Sequence, residues 1–213
     1  MSRFWPTDRP FERLVRCVVG LVIFGAGVAM LLDSDLGAAP WDVFHTGVSD
    51  LTGIPVGTVI IVVGIALLLL WIPLRERPGL GTILNAVLIG LTVDIVTPWV
   101  PEDLPLAARI GLMVGGVLLI AVGSGLYIGA GLGPGPRDGL MTGLGRRGIS
   151  IRVARTGVEL AVMVIGVLLG GEVGIGTAVF ALGIGPLVHV TLPRLRMEPS
   201  VTEAEAIAAA AEA

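Results

Sequence analysis

The sequence predicts an all-α membrane protein: six transmembrane helices arranged as two inverted three-helix repeats, each with a short, non-spanning helix. Three observations carry this. Hydrophobic residues make 54% of the 213 positions and charged residues only 15%, a balance outside that of soluble domains. Six apolar runs, 14–32, 55–74, 79–97, 106–130, 150–170 and 173–192, each approach the ~20 residues that cross a bilayer as a helix. The chain also repeats itself. Residues 36–47 read Leu-Gly-Ala-Ala-Pro-Trp-Asp-Val-Phe-His-Thr-Gly, and 132–143 read Leu-Gly-Pro-Gly-Pro-Arg-Asp-Gly-Leu-Met-Thr-Gly, identical at six of twelve positions. A second echo follows, in which Gly79, Gly81, Thr82, Ala86, Ile89, Gly90 and Pro98 recur as Gly174, Gly176, Thr177, Ala181, Ile184, Gly185 and Pro193. Two matching blocks at nearly one offset mark an internal duplication.

The organisation follows in order. Residues 1–12 form an amino-terminal segment, 13–98 the first repeat, 99–193 the second, and 194–213 an Ala/Glu-rich tail expected to be disordered. The first apolar run, preceded by Arg3, Arg9, Arg13 and Arg16, has the flanks of a signal peptide. The duplication equates it with 106–130, so it is read as a true helix. So many long apolar runs cannot bury one another in 213 residues of soluble protein. The 32 glycines suit close helix contact in lipid.

Loop charges set the expected topology. All 14 basic residues are arginine. With the amino terminus inside, 13 of them (all but Arg109) fall in cytoplasmic segments, while Asp33, Asp35, Asp42, Asp50, Glu102, Asp103 and Glu172 fall outside. This satisfies the positive-inside rule, and both termini are expected on the cytoplasmic side. The two motif copies then lie on opposite sides, a recurring plan of secondary transporters.

Each motif reads as a turn entering a short helix, 40–50 and 136–146. Gly37 and Gly133 permit the turn. Pro40 and Pro136 suit the first helical turn, and Asp42 and Asp138 set a negative charge against the helix dipole. Gly135, Gly139 and Gly143 form one bare face for close packing. Two roles stay open for the aspartates: helix caps, or walls of a substrate cavity together with Arg137.

Ionisable groups inside the crossings need a reason to be there. Glu159 follows Arg155 by four and Arg152 by seven on one face, so an intrahelical Arg155–Glu159 pair is expected. It is either a self-neutralised structural face or a charged cavity wall. Asp94 and His189 are expected near the headgroups, and Asn85 is a candidate helix bridge. His45 is expected in a solvent-exposed outer segment, where it would titrate near neutral pH.

Soluble chemistry is absent. There is no phosphate loop or nucleophile elbow, and two histidines and one cysteine make no typical metal site. No cofactor, metal or nucleic-acid partner is implied. The partners expected are the bilayer and a small solute, with a homodimer or a protein partner left open.

These residues also carry a resemblance. Leu36-Gly37 through Pro40-Trp41-Asp42-Val43, Gly79-Leu80-Gly81-Thr82, Gly133 through Gly139, Arg155 with Glu159, and Leu168 through Gly171 followed by Gly174-Ile175-Gly176-Thr177 resemble the YczE/YitT-type bacterial integral membrane proteins. The resemblance spans roughly 13–193 and implies a cytoplasmic-membrane protein of a family whose activity is largely unassigned. Three function classes stay open. The first is a small-solute transporter or a subunit of one, on the strength of the duplication. The second is a membrane-embedded accessory or scaffold protein for a biosynthetic or export partner. An enzyme is not expected; as a third class it would have only Glu159 and His189 as acid/base groups.

The topology is testable by thiol labelling. In a Cys17→Ser background, Glu102→Cys and Glu172→Cys should react with an impermeant thiol reagent from outside, and Glu76→Cys and Arg146→Cys should not. Outside labelling at 146 would end the inverted-repeat reading.

Overall fold

A computed structural model describes residues 8–198. The expectations for the arginine-bearing start and the Ala/Glu tail, at 1–7 and 199–213, lie outside the described residues. Within them are eight α-helices and no strand: α1 Pro10–Asp33, α2 Pro40–Thr52, α3 Val56–Leu74, α4 Leu80–Val96, α5 Leu106–Gly129, α6 Pro136–Gly145, α7 Ile151–Leu168 and α8 Ile175–Leu195. The order long, short, long, long occurs twice. Five helices, α1, α3, α4 with its 3-10 extension to Trp99, α5 and α8, are long and apolar enough to cross a bilayer. The remaining expected crossing, α7, has 18 residues but carries Arg152, Arg155 and Glu159.

At the centre, α1 and α5 pack antiparallel along their length. Glycine permits the approach. A Cβ on Gly20 would lie 2.7 Å from the Tyr127 nitrogen and 2.9 Å from the Gly123 carbonyl oxygen, while one on Gly27 would lie 2.8 Å from the Gly116 carbonyl oxygen. Backbones this close gain dispersion and weak Cα–H contacts, the main attraction between helices in lipid.

The ends of this pair are tied by a matched exchange. Arg13 donates to the carbonyl of Ala130, which ends α5 (3.0 Å), and Arg109 donates to the carbonyl of Ser34, which ends α1 (2.8 Å). Cations at helix carbonyl ends satisfy orphan acceptors and suit the dipole. Arg109, the one basic residue on the expected outer side, is thus the counterpart of Arg13.

A second exchange joins the short helices to the rest. The turn before α2 passes through Gly37 at φ 103°, and that before α6 through Gly133 at φ 121°, a region other residues enter at a cost. Each turn presents a carbonyl to the helix start of the other repeat: Gly81 N–H donates to Leu132 (2.9 Å) and Gly176 N–H to Leu36 (2.7 Å). The same helix starts are closed by Thr82 and Thr177, whose hydroxyls each accept the N–H of Gly79 or Gly174 at 3.2 Å. Thr82 is fully buried and Thr177 nearly so.

Each short helix then lies against the third helix of the opposite repeat, α2 on α7 and α6 on α3. The volumes are swapped. Gly139 of α6 accepts the Trp71 ring of α3, whose indole N–H donates to the Pro136 carbonyl at 3.0 Å. At the corresponding place, Gly166 of α7 accepts the Val43–Phe44 backbone of α2. Of the bare glycine face expected on 136–146, Gly139 seats the tryptophan, while Gly143 faces Leu74 and Glu76.

Substitution at the exchange tests its weight. A Cβ on Gly79 or Gly174 would sit 2.2 or 2.3 Å from the Leu132 or Leu36 carbonyl oxygen, so either Gly→Ala change should destabilise by at least about 2–3 kcal/mol. Gly111→Ala, with nothing within 4 Å, should leave thermal unfolding in detergent unchanged or slightly raised. Equal melting of Gly79→Ala and wild type would show that the turn is not held there.

Candidate functional site

The amino-terminal ends of α2 and α6 converge on a central cavity of about 630 Å³. Pro40 and Pro136 open the two helices after an extended residue, Ala39 or Gly135, and the first turns of both border the cavity. Asp42, His45, Arg137, Asp138, Arg155 and Glu159 all line this cavity. They come in pairs from three helices, α2, α6 and α7, and the fold brings them together.

Arg137 holds the junction. Its guanidinium lies over the Trp41 ring, 4.8 Å from the centroid, and 3.8 Å from Asp42. Asp42 is buried and accepts from His45 Nδ1 at 3.1 Å. His45 corrects an expectation: far from solvent-exposed, it is 0% exposed. Its three-residue spacing from Asp42 turns both to the packed side of α2, against α7 and α3. Trp41 and Phe44 flank the ring, and Nε2 is buried without a partner among the described residues. Asp138 lies on the cavity wall near the Tyr127 hydroxyl and makes no side-chain cap to its helix. On α7, Arg155 Nε donates to Glu159 Oε1 at 3.0 Å, as expected from the spacing.

Three further polar residues are placed by the fold. His189 lines the cavity, as does Asn85, which makes no hydrogen bond among the described residues. Asp94 locks two helices together: it accepts from Gly57 N–H at 2.7 Å and from the Thr58 hydroxyl at 2.8 Å. Trp41 and Tyr127 were missed as site residues. A lone tyrosine in an otherwise apolar helix was the available signal, because a buried phenol wants a partner.

The walls are unequal. α3 and α4 pack closely, Gly57 against Gly90 and Gly64 against Ala86. Their sequence counterparts 95 residues on are Arg152 with Gly185 and Glu159 with Ala181, and α7 and α8 are not packed on each other. Gly185 has nothing within 4 Å. Where the first pair has a glycine and the Asp94 lock, the second has an arginine, a glutamate and His189. No group of three His, Cys, Asp or Glu side chains among the described residues is arranged to hold a metal.

Residues 11–193 match a family of unknown function, DUF6198. The chain belongs to this family. Its relatives include an uncharacterized protein of Haemophilus influenzae, 38% identical over 182 residues covering 85% of this chain and 84% of that protein. The uncharacterized membrane protein YczE of Bacillus subtilis is 35% identical over 179 residues, covering 82% and 83%. The uncharacterized protein YyaS of the same organism is 27% identical, covering 82% and 90%. No solved structure matches. Like YczE, this chain is a membrane protein, and its family carries no assigned activity.

His45→Phe should destabilise the protein by about 1–3 kcal/mol, because it strips a buried carboxylate of its donor. Thermal unfolding reads this directly. Unaltered melting would mean that Asp42 is not held by His45.

Proposed function

We propose that the protein is a small-solute transporter, or the solute-binding subunit of one, in the bacterial inner membrane. In this reading it has six crossings, α7 being the sixth, two inverted repeats, and both ends in the cytoplasm. The observation that carries the proposal is the cavity at the meeting point of the two short helices, walled tightly by α3 and α4 and loosely by α7 and α8. Short helices that direct their N-termini at a mid-membrane cavity between repeats are the usual binding plan of secondary transporters.

Several features support the inverted arrangement. The corresponding helices α1 and α5 run antiparallel, and the arginine and glycine exchanges are reciprocal. Such a relation fits an axis in the membrane plane. As a crossing, α7 has an exposed apolar side at Val164, Ile165 and Leu168 and sets Arg155 and Glu159 towards the cavity. Charge in a crossing is tolerable when it faces water or a partner. With the loop charges as above, the Asp94 lock lies on the outer side and the unpacked ends of α7 and α8 on the inner side. The cavity is then closed outward and open to the cytoplasm.

The accessory-protein reading has one favourable observation. α8 is the least buried of the five apolar helices, with Leu182 79% exposed, and a partner helix could cover it.

The test pairs a solute panel in reconstituted vesicles with variants of Arg155 and Glu159. In the transport reading, Glu159→Gln lowers uptake by about tenfold or more, the equivalent of about 1.4 kcal/mol, while melting stays near wild type because the cavity hydrates the surplus charge. In the structural reading, Glu159→Gln lowers melting first, and adding Arg155→Gln restores it. Restored stability with uptake intact throughout would end the transport role of this pair. Co-purification of one stoichiometric protein with no solute moved would favour the accessory reading.

A further inference from the structure

The hydrogen-bond inventory of the cavity assigns a ligand class to it, an inference that rests on the binding reading above. Two carboxylates on the wall already have a hydrogen-bond donor, Glu159 from Arg155 and Asp42 from His45, and Asp138 lies within the field of Arg155 and Arg137. Arg137 is different. Among the described residues its guanidinium donates no hydrogen bond. Its contacts are the Trp41 ring face and Asp42 at 3.8 Å, beyond hydrogen-bond reach. A guanidinium offers five N–H donors in a fixed fork, and here only the contents of the cavity, water or a ligand, can accept from them. Its side chain is 31% exposed, and the cavity is what it borders. The starts of α2 and α6 add their partial positive charge at the same point.

The remaining wall is chiefly apolar, including Val28, Ile60, Ile89, Ile120 and Ile184. We infer that the cavity takes an organic anion: one carboxylate-like head on the Arg137 fork and an apolar body along these isoleucines. The head supplies two acceptors to parallel N–H donors, the geometry a guanidinium binds best. A cationic head would find its carboxylates engaged and would face Arg137, and like charge excludes it. A neutral alcohol offers one acceptor and no counter-charge. A small inorganic anion fits the fork and leaves the apolar walls uncovered.

The same chemistry has two sources, a water-soluble carboxylate and a fatty acid entering from the bilayer between α7 and α8. Both are tested on the full chain in phosphatidylcholine nanodiscs by thermal unfolding. Octanoate, octylammonium and octanol each have eight carbons and differ in head group, and oleate is added to the lipid as a separate arm. Octanoate or oleate should raise the melting temperature, since a ligand of the folded state alone must stabilise it, and octylammonium and octanol should not. Stabilisation by octanoate assigns a soluble ligand; stabilisation by oleate alone assigns a bilayer one. Arg137→Gln should weaken the response at least about tenfold, with Arg137→Lys intermediate, because lysine keeps the charge and loses the fork.

Stabilisation by octylammonium equal to or above octanoate overturns the assignment. So does an undiminished octanoate response in Arg137→Gln, or no response to either carboxylate. If Arg137→Gln does not fold, the head-group comparison on the wild-type chain decides alone. Carboxylate binding without movement across vesicles would sink transport and leave the anion site, whereas movement of an amine would sink the anion site and leave transport.

Discussion

The fold depends on two backbone hydrogen bonds exchanged between its halves, Gly81 to Leu132 and Gly176 to Leu36. In hydrocarbon there is no water to satisfy a stray peptide group, and each one left alone costs several kcal/mol. A chain that stops, turns and begins a short helix inside a packed bundle creates such groups on both sides of the turn. Here the orphan carbonyl of each turn meets the orphan N–H of the opposite helix start, and each deficit cancels the other. Thr82 and Thr177 close what remains. Only glycine lets the two backbones approach so closely, which is why Gly37, Gly133, Gly79 and Gly174 cluster there. The short helices, and with them every charged group of the cavity, are positioned by that contact.

Duplication makes the scaffold, and departures from duplication make the site. The α1–α5 glycine contacts and the Arg13 and Arg109 caps are matched one for one. Arg137 has no charged counterpart, since Trp41 stands at the equivalent position, and the two side chains stack on each other. Likewise Gly64 closes one wall against Ala86, while its counterpart Glu159 faces the cavity. Two helices that can pack through glycines do so; two that carry an ion pair and a histidine at the same places do not. The asymmetry is a matter of side-chain volume and charge on a common backbone plan.

Much of the architecture was legible in the sequence because hydropathy and repetition are local, additive signals. Helix spans followed from apolar runs, and the short helices from Pro40 and Pro136 after Gly-containing turns. The Arg155–Glu159 bond followed from four-residue spacing, a distance set by one element alone. The duplication alone also makes Thr82 and Thr177 equivalent.

What tertiary structure decided was everything that depends on which surfaces meet. His45 looked solvent-exposed because α2 is polar in sequence, yet packing of α2 against α7 and α3 buries it completely. His189 and Asp94 occupy equivalent positions, and only the presence or absence of a packed neighbour makes one a cavity wall and the other a helix lock. The stacking of Arg137 on Trp41 joins residues from two motifs nearly a hundred positions apart. The sequence by itself determined a duplicated helical membrane chain, because crossing a bilayer and repeating a motif are written in composition and order. It did not determine the cavity, because a cavity is a relation between surfaces, and no single helix contains one.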